Sequence, residues 1–135
     1  MAAPAHTLAD VELELKAVRW MIQAFGPEVK AVVMRNAIKT RDMAQARAPG
    51  SGRYAAAIKV KGFTEPDGGY TGKVFVDRIK DPKRGLLAAN LPIWLEYGTR
   101  YASAKPHLIP AFAIGRASFD ADMAALLRRV QSQAA

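Results

Sequence analysis

The chain has 135 residues, half of them apolar and 24% charged, with 20 Lys and Arg against 12 Asp and Glu and no cysteine. That length suits a single domain, 1–135, which buries roughly two-thirds of its unfolded surface around one core, and the composition excludes a mostly disordered chain. Without cysteine, disulfides, thiolate metal ligands and thiol nucleophiles are excluded, while a formal charge of +8 favours a polyanionic partner, either DNA or an acidic protein face.

The first residues, through His6, have neither the basic stretch nor the apolar run of a signal peptide. The longest near-apolar stretch, 86–95, contains Asn90 and Pro92, so no membrane span is expected. Thr7 and Asp10 resemble a helix N-cap with an acidic first turn, and Leu8, Val11, Leu15, Val18, Ile22 and Phe25 recur at spacings of three and four. This predicts a helix within 1–27 with a narrow apolar seam. The seam is under three heptads, so it suits packing on the chain's own long helix better than a coiled coil.

Gly26-Pro27 ends that helix and opens a second, 28–48, on which Val29, Val32, Val33, Ala37 and Ala44 share one face. Lys30, Arg35, Lys39 and Arg41 are scattered around it as a solvated face. Ala48-Pro49 stops the helix, and Gly50-Ser51-Gly52 lets the chain turn. Two alternating runs, 58–61 and 73–77, flank Glu65-Pro66-Asp67-Gly68-Gly69, which is a β-hairpin signature. The stretch 79–91, with Lys80, Asp81, Pro82, Lys83, Arg84 and Gly85, is too polar for a core element and is expected to be a flexible loop.

From Pro92 to Tyr97 the pattern predicts a third strand, with Ile93, Leu95 and Tyr97 on one side and Trp94 and Glu96 on the other. Gly98 then turns through positive φ, which only glycine adopts without a steric penalty. A last helix, 110–132, follows from Pro110 with Phe112, Phe119, Met123, Leu126, Leu127 and Val130 at helical spacing. The expected fold class is therefore α+β: long helices packed on a small antiparallel sheet of three or four strands, the sheet lying within 54–97, and a C-terminal helix.

Two segments stand out, Leu95-Glu96-Tyr97-Gly98-Thr99 and Ala104-Lys105-Pro106-His107-Leu108-Ile109-Pro110-Ala111-Phe112. Together with the preceding Pro49 and Gly52, their order resembles the neck, head–tail joining or tail-completion proteins of long-tailed phages and phage-like gene-transfer particles. The similarity covers roughly residues 11 to 130. The chain departs from the family pattern at Gly50-Ser51-Gly52, where aspartate-threonine-glycine is common, and at Ile93-Trp94, where tyrosine-alanine is usual.

The resemblance implies a structural protein of the virion neck or tail, present in the bacterial host cytoplasm during assembly. It implies a homo-oligomeric ring, most often a hexamer, around the DNA passage. The ring's neighbours would be a head-completion or connector protein on one side and a tail-terminator or tail-tube protein on the other.

Pro106 and Pro110 stiffen the approach to the last helix, so Leu108, Ile109 and Phe112 serve either a subunit contact or the monomer's own core. Glu96 lies among Arg78, Lys80, Lys83, Arg84, Arg100 and Lys105, and its ion pair could link neighbouring subunits, close within the chain, or leave the carboxylate solvated.

Nothing in the sequence points to an enzyme or a cofactor. Asp120 and Asp122 stand two positions apart on a helix and face different ways. Ser51 and Ser103 lack a nucleophile elbow, and His6 and His107 have no partner cluster for a metal. The rival function is a small basic DNA-binding module using Arg78, Lys80, Lys83 and Arg84, but this run has few aromatics interleaved with it and no recognisable reading element.

Overall fold

The structure, a computed structural model, describes residues 12–49, 53–77, 95–98, 100 and 103–134. Its elements are β1 (Glu12–Ala17), α1 (Arg19–Phe25), α2 (Glu28–Arg47), α3 (Arg53–Ala56), β2 (Ile58–Thr64), β3 (Tyr70–Val76) and α4 (Leu108–Ala134). The fold is α+β: a three-stranded antiparallel sheet of order β1-β3-β2, with α2 across one face and the long C-terminal helix packed along α2.

The hairpin forms where its turn residues stand. Gly68 N–H donates to Glu65 O and Glu65 N–H to Gly69 O, while Asp67 Oδ1 accepts from Gly69 N–H at 2.9 Å, a side-chain clasp typical of Asx turns. The register sets Ile58 opposite Val76, Val60 opposite Val74 and Gly62 opposite Gly72. The alternation read at 58–61 and 73–77 thus extends by several residues on the turn side.

The expected first helix is corrected. Residues 12–17 form an edge strand paired with β3, Leu15 opposite Gly72 and Ala17 opposite Tyr70, and only Arg19–Phe25 is helical. The period is two: Glu12, Glu14 and Lys16 alternate with Leu13, Leu15 and Ala17. Leu15 and Ala17, two positions apart, are both buried, which one face of a strand achieves and one narrow helix seam would not. Gly26, at φ 83°, does end α1 as expected, and its N–H donates to Ile22 O.

The expected third strand at 92–97 is also corrected. Residues 95–97 are a helical turn, and the strand completing the sheet comes from the N-terminal side instead. Residues 92–94 lie outside the described residues.

Helix α2 forms as read, and Ala48 after it is extended (φ −65°, ψ 135°), the conformation that Pro49 imposes on its predecessor. Val29, Val33 and Ala37 are buried beneath it, and the backbone of β3 comes close enough that a Cβ on Gly72 would sit 2.9 Å from Ala37 Cβ. One core cluster joins Leu15, Val29, Val33, Phe119 and Leu126, with Phe112 packed against it. A second joins Ala44, Tyr54, Ile58, Val74, Leu108 and Ala111.

Asp122 clasps α4 to α2. Its Oδ2 accepts from Asn36 Nδ2 at 2.9 Å and from Arg35 Nη2 at 3.1 Å, whereas Asp120 pairs with Arg116 on its own helix. The two acids do face different ways. The hydrogen bond from Asn36, and then that from Arg35, hold the Asp122 carboxyl below its ordinary 3.8. A lowered native pKa adds stability above that value and loses it as pH falls through the native one. Asp122→Asn should therefore flatten the drop in thermal midpoint between about pH 5 and pH 2 relative to the parent chain.

Candidate functional site

The two segments singled out in the sequence meet at the start of α4. A helix leaves its first backbone N–H groups without internal acceptors, and an N-cap side chain such as Ser, Thr, Asp or Asn usually takes one of them. Here the cap position is His107, which has no such oxygen. The acceptor arrives from elsewhere in the chain.

Glu96, on the helical turn eleven residues upstream, is only 3% exposed. Its Oε1 accepts from His107 N–H at 2.7 Å and from Leu108 N–H, and its Oε2 accepts from Ile109 N–H at 3.4 Å. The next residue, Pro110, has no N–H to satisfy. Every donor of the helix's first turn is thereby accounted for, and a carboxylate at a helix N-terminus also gains from the helix dipole. Helix α4 consequently starts at Leu108, two residues before the proline that marked it in the sequence.

The His107 ring lies beneath this cap, fully buried. Its Nδ1 is 3.0 Å from both Lys105 O and Glu96 Oε1, two acceptors, so Nδ1 carries the proton and Nε2 accepts from the Tyr54 hydroxyl at 2.6 Å. The Tyr54 and His107 rings also meet edge-on, with centroids 5.1 Å apart. A backbone bond from Lys105 N–H to Leu95 O, 2.7 Å, ties the segments a second time. Gly98 follows with φ 80°, the positive value expected of it.

Burial, and after it the Glu96 charge, push the Tyr54 hydroxyl well above its ordinary 10.0. A raised native pKa leaves stability intact below pH 10 and erodes it as pH rises further, because only the unfolded chain then sheds the proton. Tyr54→Phe should cost about 1–3 kcal/mol at neutral pH, because His107 Nε2 is left buried without a donor. It should also make stability fall less steeply above pH 10. Denaturant midpoints across that range check both.

Chemically, Tyr54, His107 and Glu96 form a hydrogen-bonded relay in which no member is more than 6% exposed. It offers no exposed nucleophile and serves to hold a helix end. Of the three readings open for Glu96, the geometry is that of a carboxylate engaged within its own chain. Leu108 likewise fills the monomer's own core and Phe112 packs against it, whereas Tyr97 (66% exposed) and Ile109 (45%) stay at the surface beside the cap.

Pro106 is exposed just ahead of the cap, and Pro49 lies after α2, outside this cluster. Gly52, Thr99, Arg78, Lys80, Lys83, Arg84 and the whole 79–91 stretch lie outside the described residues. Sequence reasoning missed the roles of Tyr54 and His107, since no local spacing links positions 54, 96 and 107. Among the described residues no group of three or more His, Cys, Asp or Glu could hold a metal ion, and no helix is long and apolar enough to cross a membrane. In comparisons with known proteins, no family model, no curated protein and no solved structure matches this chain.

Proposed function

We propose that the chain is a non-enzymatic assembly protein of a tailed phage or phage-like gene-transfer particle, a neck subunit that joins or completes the tail as a hexameric ring around the DNA passage. The observation that carries the reading is the union of the two segments behind the resemblance: the Glu96 carboxylate of the first closes the helix that the second begins. Within this chain the two segments form one structural unit.

Two further features support it. Tyr97 and Ile109 stand exposed beside that rigid cap, and Trp20 on α1 is 59% exposed; large aromatics of this kind anchor protein interfaces. A heterologous contact repeated by rotation would close identical subunits into a ring. The second reading is a basic DNA-binding module built on Arg78, Lys80, Lys83 and Arg84, all of which lie outside the described residues.

The test is genetic and visual. Particles assembled without the chain should accumulate as filled heads and separate tails under the electron microscope, and tagged chain should label the head–tail junction. Normal particles without it, or label spread over capsid or tail tip, would sink the neck assignment.

A further inference from the structure

The sheet face turned away from α2 carries a second feature, independent of the helix cap. Strand alternation puts Val60, Gly62, Gly72 and Val74 toward α2, and therefore Lys59, Lys61, Phe63, Lys73 and Phe75 on the opposite side. Lys59 and Lys61 are exposed, while Phe63, Lys73 and Phe75 are half-buried.

The five residues form one patch. Lys61 Nζ lies 5.7 Å from the ring centres of both Phe63 and Phe75, and Lys73 Nζ lies 5.7 Å from that of Phe75. Lys61 and Lys73 are direct cross-strand partners, and Lys59 stands opposite Phe75. On the far side, Glu14 of β1 faces Lys73 and Lys16 pairs with Asp67, so the excess positive charge lies along β2.

We infer that this face binds single-stranded nucleic acid, with phosphates on Lys59 and Lys61 and bases against Phe63 and Phe75. Flat sheet faces bearing aromatic rings and cations suit unpaired bases, whose faces are free to stack, whereas a duplex would offer this surface only phosphates. The inference goes beyond the ring reading and does not need it, because binding is measurable on the chain whether or not it assembles.

Fluorescence anisotropy of the full chain against a labelled oligothymidylate of about 16 nucleotides, and a duplex of equal length, tests it. The single strand should bind more tightly. Lys59→Gln with Lys61→Gln should weaken binding and reduce the salt slope by about 1.4, or roughly 0.7 for each phosphate no longer neutralised. Phe63→Leu and Phe75→Leu should each weaken single-strand binding at least about fivefold while leaving the slope unchanged.

Circular dichroism checks folding, and should either leucine variant unfold, the lysine pair alone decides. Three results would overturn the inference: tighter binding of the duplex, loss of binding only when Lys80, Lys83 and Arg84 are neutralised, or equal competition by polyglutamate, which would point to an acidic protein partner.

Discussion

Glu96→Ala should lower the stability of the chain by about 3–5 kcal/mol, the range for removing one partner from a buried charged network. Three backbone N–H groups, those of His107, Leu108 and Ile109, lose their acceptor, and none has another within the helix. Left buried without a partner, each such donor costs about 1–3 kcal/mol, so the first turn of α4 should fray to let water in. The fray reaches the core because Leu108 and Ala111, one turn apart, are both buried against Tyr54, Ile58 and Val74.

Glu96→Gln is the informative control. It keeps one acceptor oxygen and loses the charge that favours the helix dipole, and the smaller cost should be about 1–2 kcal/mol. Urea midpoints separate the two variants. Were Glu96 only a surface partner for a neighbouring subunit, either change would stay within about 0.5 kcal/mol in the isolated chain.

The second large effect concerns Gly115, where α4 crosses α2. Mid-helix glycine is usually a weak point, and alanine there would normally add about 1 kcal/mol of helix propensity. Here the opposite sign is expected. A Cβ on Gly115 would overlap Thr40 Oγ1 and lie 3.1 Å from Thr40 Cβ. Thr40 cannot simply swing away: it is buried, and its hydroxyl donates to Asn36 O at 2.8 Å.

Overpacking of this kind costs about 1–3 kcal/mol and exceeds the propensity gain, so Gly115→Ala should be destabilising and the helices should part slightly. Thr40→Ala removes the hydroxyl that the new methyl would strike. In the Gly115→Ala background it should recover part of the loss, giving a coupling energy of about 0.5–3 kcal/mol by double-mutant cycle. Simple additivity would show that the two helices do not cross so closely.

Elements governed by local chemistry were legible in the sequence. Helix α2 lies between Pro27 and Pro49 with no internal breaker, the 58–77 hairpin carries its own turn residues, and Gly98 has the positive φ its position demands. Features created by residues distant in sequence were not. Val11, Leu15, Val18 and Ile22 fit a helical seam, yet 12–17 is a strand because β3 offers a second edge on which Leu15 and Ala17 become buried. Local periodicity is ambiguous there, and pairing decides.

The start of α4 shows the same limit. Cap rules look a few residues back, whereas Glu96 lies eleven residues before the backbone N–H it first accepts from. Among the described residues the groups that Glu96 engages are the first N–H groups of α4 and the His107 ring, none of them one of the lysines or arginines around it in sequence. The mixed lysine and phenylalanine face escaped notice for a related reason: Phe75 meets Lys59 across the sheet, not along the chain.

The most direct measurement is electron microscopy of the purified chain at high concentration, with sedimentation as a function of concentration alongside it. The neck reading predicts closed rings of about six subunits related by rotation, dispersed when Tyr97 or Ile109 is replaced by a charged residue while the fold persists. A chain that stays monomeric at every concentration, both alone and when mixed with tails or connectors from the same particle, would contradict it.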